Sequence, residues 1–184
     1  MPKKSYVFTK KDYNNSNGML TSVWGPSFWH VLHTISVNYP VNPSCDDKQH
    51  YKTFITSLKY VLPCKYCRDN LEKNLKKTPL NTSALKNREH FSKWMYKLHE
   101  TVNQSLGKKS ALKFRDVQDR YEHFRARCSS DKKINVKTIQ KGGEKGCTEP
   151  IYGVKARCQL HIIPHNKSGE SMLIHNKCKG KAKK

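Results

Sequence analysis

The chain reads as all-α: a four-helix bundle with a short fifth helix, followed by a small cysteine-containing β-hairpin extension. Three observations predict this. Apolar residues recur at helical spacing through most of residues 22–128, prolines and glycines punctuate those runs at short intervals, and composition shifts after Cys128. With 184 residues and 35% hydrophobic content there is room for one ordinary domain plus an appendage. A mean hydropathy of -0.85 confines the compact core to part of the chain.

Residues 1–21 are rich in Lys, Asn, Ser and Gly without clear periodicity and read as a flexible basic arm. Pro26 suits the first turn of a helix whose apolar side runs Phe28, Leu32, Ile35 and Tyr39, stopped at Tyr39-Pro40. Trp29, His33 and Ser36 form an adjacent stripe on that helix. Ser44 or Asp46 caps a second helix, expected to bury Tyr51, Phe54, Ile55, Leu58 and Val61. Pro63 ends it and starts a shorter third helix carrying Leu71 and Leu75. Residues 77–86 are turn-like. The clearest pattern follows, with Phe91, Trp94, Met95, Leu98, Val102 and Leu106 on one face and Gly107 as the stop. A short helix from about Phe114 to Arg127 turns Val117, Tyr121 and Phe124 inward. Residues 129–146 read as a linker. Residues 147–184 form a small unit with a hairpin around Asn166-Lys167-Ser168-Gly169, strands at 157–163 and 171–176, and a basic tail.

The chemistry concentrates in Leu62-Pro63-Cys64-Lys65-Tyr66-Cys67-Arg68. Two thiols at the start of a helix can close into a reversible disulfide, and the helix N-terminus beside Lys65 and Arg68 favours the thiolate. The same spacing supplies half of many zinc sites, so the motif alone leaves both readings open. Its flanks discriminate. Trp29 and His33 lie upstream, His99 and Asn103 downstream, and aromatic, His and Asn side chains on both sides of a dithiol suggest a flat aromatic cofactor.

Lys and Arg exceed Asp and Glu by 36 − 14 = 22, a charge that attracts nucleic acid or acidic proteins non-specifically. The lysines are scattered, with no arginine-rich helix, so the charge reads as a modifier of partners. No apolar run approaches the ~20 residues of a membrane span, and no apolar segment follows the basic start as a secretory signal would require. Seven cysteines are therefore unusual, because reducing compartments disfavour structural disulfides. Cys147, Cys158 and Cys178 look like staples, with Cys147–Cys158 or Cys158–Cys178 both allowed. Cys45 is free or joins subunits, and Cys128 is a candidate shuttle.

Trp24-Gly25, Trp29, Leu32-His33, Tyr39-Pro40, then Pro63-Cys64-x-x-Cys67, then His99-x-x-Val102-Asn103 with Leu106-Gly107-Lys108, resemble the FAD-linked Erv/ALR sulfhydryl oxidase family over about residues 22–127. The resemblance implies FAD in the mouth of the bundle, oxidation of protein dithiols to disulfides, and electrons passed to molecular oxygen to give hydrogen peroxide. It makes Cys64 the residue attacked by substrate and Cys67 the flavin-proximal one. It places Gly25, Trp29, His33, Tyr39, His99, Val102, Asn103, Lys108, Arg120 and Tyr121 around the cofactor, with no metal. Tyr121 stands where the family usually carries Trp, and Glu100 where it commonly carries Asn. Tyr96 occupies the first position of a structural disulfide common in the family, which cannot form here. Expected partners are protein dithiols, thioredoxin-like or acidic viral redox proteins among them, and a second copy in a homodimer. The basic tail and lack of a targeting signal resemble members from large DNA viruses, which implies a cytoplasmic or virion location.

Two alternatives carry different predictions. A zinc-stabilised basic nucleic-acid-binding protein would complete its site with Cys128 or His90. A thioredoxin-like exchanger would place its Cys-x-x-Cys after a strand, whereas the region before Cys64 is helical.

Overall fold

Pro63 sets the arrangement of the helices, because it interrupts what would otherwise be one long rod and lets the helices on either side of it pack on each other. The computed structural model describes residues 8–127, 146–159, 161–164, 166–167 and 174–179. Among the described residues six α-helices run in chain order: α1 Lys10–Tyr13, α2 Thr21–Val37, α3 Cys45–Val61, α4 Lys65–Lys77, α5 Arg88–Ser105 and α6 Phe114–Glu122. Helix α5 packs on α2, α4 and α6, while α3 packs on α4 and α2 on α6. The expected four long helices and shorter fifth are α2 to α6.

Local chemistry explains the boundaries. Ser44 and Asp47 form a reciprocal capping box at the start of α3, and the Asn87 side chain accepts from the His90 N–H at the start of α5. Gly107, at φ +68, lets the Gly107 N–H reach Gln104 O and the Lys108 N–H reach Asn103 O, closing α5 with a Schellman motif.

Tyr39, Ile55, Phe91 and Met95 are fully buried, and Leu32, Leu58, Leu62, Leu71, Trp94 and Leu98 complete one contiguous core. Burying a side chain of that size contributes roughly 1.5–3 kcal/mol. Two of the core's polar groups are paired: the Tyr39 hydroxyl donates to Leu85 O at 3.0 Å, and Trp94 Nε1 to Thr78 O at 3.2 Å.

Several expectations need correction. Helix α2 begins at Thr21, five residues before Pro26, so the proline lies inside the helix and leaves Ser22 O without its usual N–H partner. Phe54, Val61 and Leu106, expected inside, are exposed at 36%, 67% and 49%. The last two sit at helix ends, beyond reach of the neighbouring helix. Residues 8–20 of the arm hold α1 and then pair with the Cys64 segment, as detailed below.

A two-stranded antiparallel ladder exists, but it joins β1 Ala126–Arg127 to β2 Glu149–Pro150. Among the described residues, 157–159, 161–164 and 174–176 carry no strand. Cys147 is disulfide-bonded, whereas Cys158 and Cys178 are free thiols, so neither Cys147–Cys158 nor Cys158–Cys178 forms. Cys45 is free and exposed at the start of α3, and Cys128 lies outside the described residues.

Candidate redox site and aromatic cleft

Cys64 is the N-cap of α4, and its sulfur accepts the Cys67 N–H at 3.3 Å. A sulfur thus takes the place of the usual capping oxygen, at the end of the helix where partial positive charge gathers. Both thiols are free and partly buried, with Cys67 packed against the core. Burial works against ionising Cys64. Hydrogen bonds from the Cys67 thiol, the Thr21 hydroxyl and the backbone N–H groups of Cys67 and Tyr66 outweigh it, and its pKa lies below the usual thiol value. Burial, then the hydrogen bond to Cys64, pushes the Cys67 thiol up. The reduced pair therefore carries its negative charge preferentially on Cys64.

The segment before α2 lies along this motif. The Met19 N–H donates to Pro63 O at 2.6 Å and the Lys65 N–H to Asn17 O at 3.1 Å, with Gly18 and Cys64 in an antiparallel bridge. Thr21 Oγ1 stands 3.5 Å from Cys67 Sγ.

Helix α2 links the sulfurs to a cluster of rings. Thr21, Gly25, Trp29 and His33 follow at four-residue intervals and share one side of the helix. Trp29 stacks on His99 of α5 at 3.8 Å and 5°, and His33 Nε2 lies 2.9 Å from His99 Nδ1. Tyr121 of α6 stacks on His33 at 5.3 Å and 24°. Burial pushes His33 down to about 3, helped by the neighbouring His99 and His30, and pushes His99 down to about 4, helped by the Lys108 charge. Both imidazoles are neutral at pH 7, so one can donate to the other. Burial pushes the Tyr121 hydroxyl up to about 12.

Among the described residues, His30 Nδ1 and His33 Nδ1 in this cluster, and Ser27 Oγ elsewhere on α2, are buried without a hydrogen-bond partner. Leaving such atoms unpaired costs about 1–3 kcal/mol each. Over Gly25 a side chain would meet only Thr21 Cγ2, at an ordinary 3.5 Å. Flat ring faces and unmet hydrogen-bonding positions, one turn from the small Gly25, suit a planar heteroaromatic group.

Of the residues expected around a cofactor, Trp29, His33, His99 and Tyr121 come together, with Lys108 acting electrostatically on His99 and Gly25 one turn from Trp29. Val102 and Asn103 lie one turn beyond His99, and the Asn103 side chain donates to Glu100 at 3.0 Å. Arg120 precedes Tyr121 on α6. Tyr39 does not join them. It sits in the core between Tyr51 and Phe91, because its hydroxyl finds Leu85 O there.

Sequence reasoning missed Asn17, Gly18, Thr21 and His30. A glycine in an otherwise polar arm gave no signal, but His30 follows Trp29 directly and packs on Tyr121 and Phe124. Among the described residues no group of three His, Cys, Asp or Glu side chains could hold a metal ion. The zinc reading therefore has no support there.

Comparison with known proteins agrees with this arrangement. A probable FAD-linked sulfhydryl oxidase of Acanthamoeba polyphaga mimivirus is 43% identical over 86 residues, covering 47% of this chain and 60% of the relative. An FAD-linked sulfhydryl oxidase of Arabidopsis thaliana is 36% identical over 84 residues, 46% of this chain and 42% of the relative. The chain thus spans about half the length of the curated relatives it matches. The solved FAD binding domain of Erv1 from Saccharomyces cerevisiae superposes with a TM-score of 0.50 at 27% identity, over 56% of this chain and 94% of that one. The family model named Erv1 / Alr matches residues 26–136, from Pro26 of α2 through α6 and more than half of the sequence, and on that span this chain belongs to the Erv1 / Alr family.

Proposed function

We propose that this chain is an FAD-dependent thiol oxidase that forms disulfides in protein substrates through Cys64 and Cys67. The observation that carries the reading is the α2 stripe, which runs from Thr21 at the Cys67 sulfur, past bare Gly25, to the Trp29–His33–His99–Tyr121 cluster. A rise of 1.5 Å per residue puts Thr21 and Trp29 about 12 Å apart along the axis, room for a flat ring between sulfur and rings.

In the oxidised state a substrate thiolate attacks Cys64 Sγ, breaking the Cys64–Cys67 bond and releasing Cys67 as the thiolate. The second substrate thiolate then attacks the mixed disulfide, forming the substrate disulfide and expelling Cys64. The features that lower the Cys64 pKa make it the better leaving group at this step. Two electrons and two protons now reside on the Cys64/Cys67 pair. FAD, when bound, accepts those electrons and passes them to oxygen, giving hydrogen peroxide. Trp29, His99 and Tyr121 would hold its flat portions, and the unpaired nitrogens of His33 and His30 would meet its polar edges. Lys108 and Arg120 would supply positive charge for its diphosphate.

The excess of 22 positive charges favours acidic protein dithiols, thioredoxin-like or viral, as substrates, and leaves nucleic-acid binding non-specific. A homodimer belongs to the same proposal, with exposed Val31 of α2 and Phe54 of α3 as apolar area for a second copy. Among the described residues no helix is long and apolar enough to cross a membrane. Similarity to the mimivirus relative supports a viral origin, with action in the host cytoplasm or virion.

The test is to purify the full chain, record its visible spectrum and follow oxygen consumption on a protein dithiol. A yellow protein that consumes oxygen, and a Cys67→Ala variant that stays yellow but does not turn over, are expected. A wild-type chain that neither carries nor takes up flavin would end the proposal.

A further inference from the structure

We propose that the Asn17–Thr21 segment is a working part of the redox centre, with Gly18 as the positioning residue that docks it on Cys64 and Thr21 supplying the hydroxyl that holds the Cys67 sulfur. This deepens the proposed oxidase reading and rests on its dithiol.

The segment is fastened by the motif rather than by the core. Residues 8–20 are exposed, and Met19 and Leu20 stand at 71% each. Apart from the Asn17 N–H, which donates to Asn15 Oδ1 at 2.9 Å, the hydrogen bonds of residues 17–19 run to Pro63, Lys65 and the Trp24 indole, which donates to Met19 O at 3.2 Å. Hydrophobic burial therefore does not account for its position. Pairing with the Cys64 backbone does.

That pairing requires glycine at position 18. Its φ of +114 is a conformation side chains resist, and a Cβ would lie 2.4 Å from Pro63 O and 2.8 Å from Cys64 Cα. Both are backbone atoms and cannot swing aside. Any larger residue pushes the segment off Cys64 or displaces the N-cap itself.

The docked segment does two things for the sulfurs. It takes the Lys65 N–H, one of the first-turn donors that α4 leaves without a helical partner, onto Asn17 O. It also delivers the first residue of α2, so that the Thr21 hydroxyl meets Cys67 Sγ. A hydroxyl can donate to a thiolate and thereby favour the anion without adding charge. The same hydroxyl, by hydrogen bonding, also lowers the Cys64 thiol.

The experiment uses the full-length chain, reduced and treated with iodoacetamide across a range of pH, with carbamidomethylation at Cys64 and Cys67 followed by peptide mass. Loss of one hydrogen bond to a charged sulfur should move the alkylation midpoint of Thr21→Val upward by about one pH unit, a tenfold slower reaction below the midpoint. Thr21→Ser should keep the wild-type profile. Gly18→Val should show the same upward move although its Thr21 hydroxyl is intact, and both variants should retain the wild-type helical circular dichroism. Wild-type alkylation profiles for Thr21→Val, or for Gly18→Val, would overturn the assignment. Because alkylation needs neither flavin nor oxygen, a chain that bound no FAD would remove the proposed activity and leave this result readable.

Discussion

The Tyr96 hydroxyl donates to Leu112 O at 2.8 Å, and the Tyr96 ring packs on Phe114 at 5.9 Å. This contact ties α5 to the segment entering α6, at the position where the resemblance implied a disulfide and the sequence offered no cysteine. A hydrogen bond and a ring contact thus stand in for a covalent link. Helix α6 buries no residue completely, so this contact adds to the Tyr121 and Phe124 ring contacts with α2 in holding it.

Removing the hydroxyl should therefore loosen α6. Tyr96→Phe is expected to cost about 1 kcal/mol, which for a domain near 100 residues lowers the melting temperature by roughly 4–8 °C. Tyr121, carried by α6, should become more accessible, read as increased nitration of that residue. A variant with wild-type melting and wild-type nitration would show that α6 is held elsewhere.

The His33–His99 contact gives stability a defined pH dependence. The folded pKa values are held down to about 3 and about 4, whereas unfolded histidine titrates near 6.5. Between these limits the unfolded chain binds more protons. The contribution is thus complete above pH 6.5 and is lost as pH falls toward the folded values. Each histidine gives a slope of at most about 1.4 kcal/mol per pH unit. The urea midpoint of the flavin-free protein should fall between pH 7 and 5, and His33→Gln/His99→Gln should flatten that fall. A midpoint that held steady or rose on acidification would exclude a buried neutral pair.

The bundle was legible because its signals are local: the capping residue Ser44, the Pro63 break, the Gly107 stop and the apolar face from Phe91 to Leu98 all act within a few residues. Trp29 and His33 could likewise be paired from their spacing on one helix. What could not be read were relationships across the chain. Nothing near Gly18 announces that its missing side chain fits against Pro63, 45 residues away. Tyr39 was placed at the cofactor by the resemblance. The acceptor that draws its hydroxyl into the core, Leu85 O, lies in a distant loop. Cys147 and Cys158 allowed pairing by count alone, and only three-dimensional placement shows Cys158 left free.

Cofactor binding and stability should be linked through Trp29. A ligand present at a hundred times its dissociation constant stabilises the folded state by about 2.7 kcal/mol, so the melting temperature of the flavin-free protein should climb with added FAD. Trp29→Ala removes the face that stacks on His99 at 3.8 Å. A tenfold loss of affinity, about 1.4 kcal/mol, should then shrink the FAD-induced rise at fixed concentration. Tyr39→Phe provides the contrast: it leaves Leu85 O without its donor and should lower the melting temperature, while the increment from FAD stays at the wild-type value. If Tyr39→Phe diminished that increment as much as Trp29→Ala, the cleft would extend to the core end of α2 and its present boundary at His33 would be wrong.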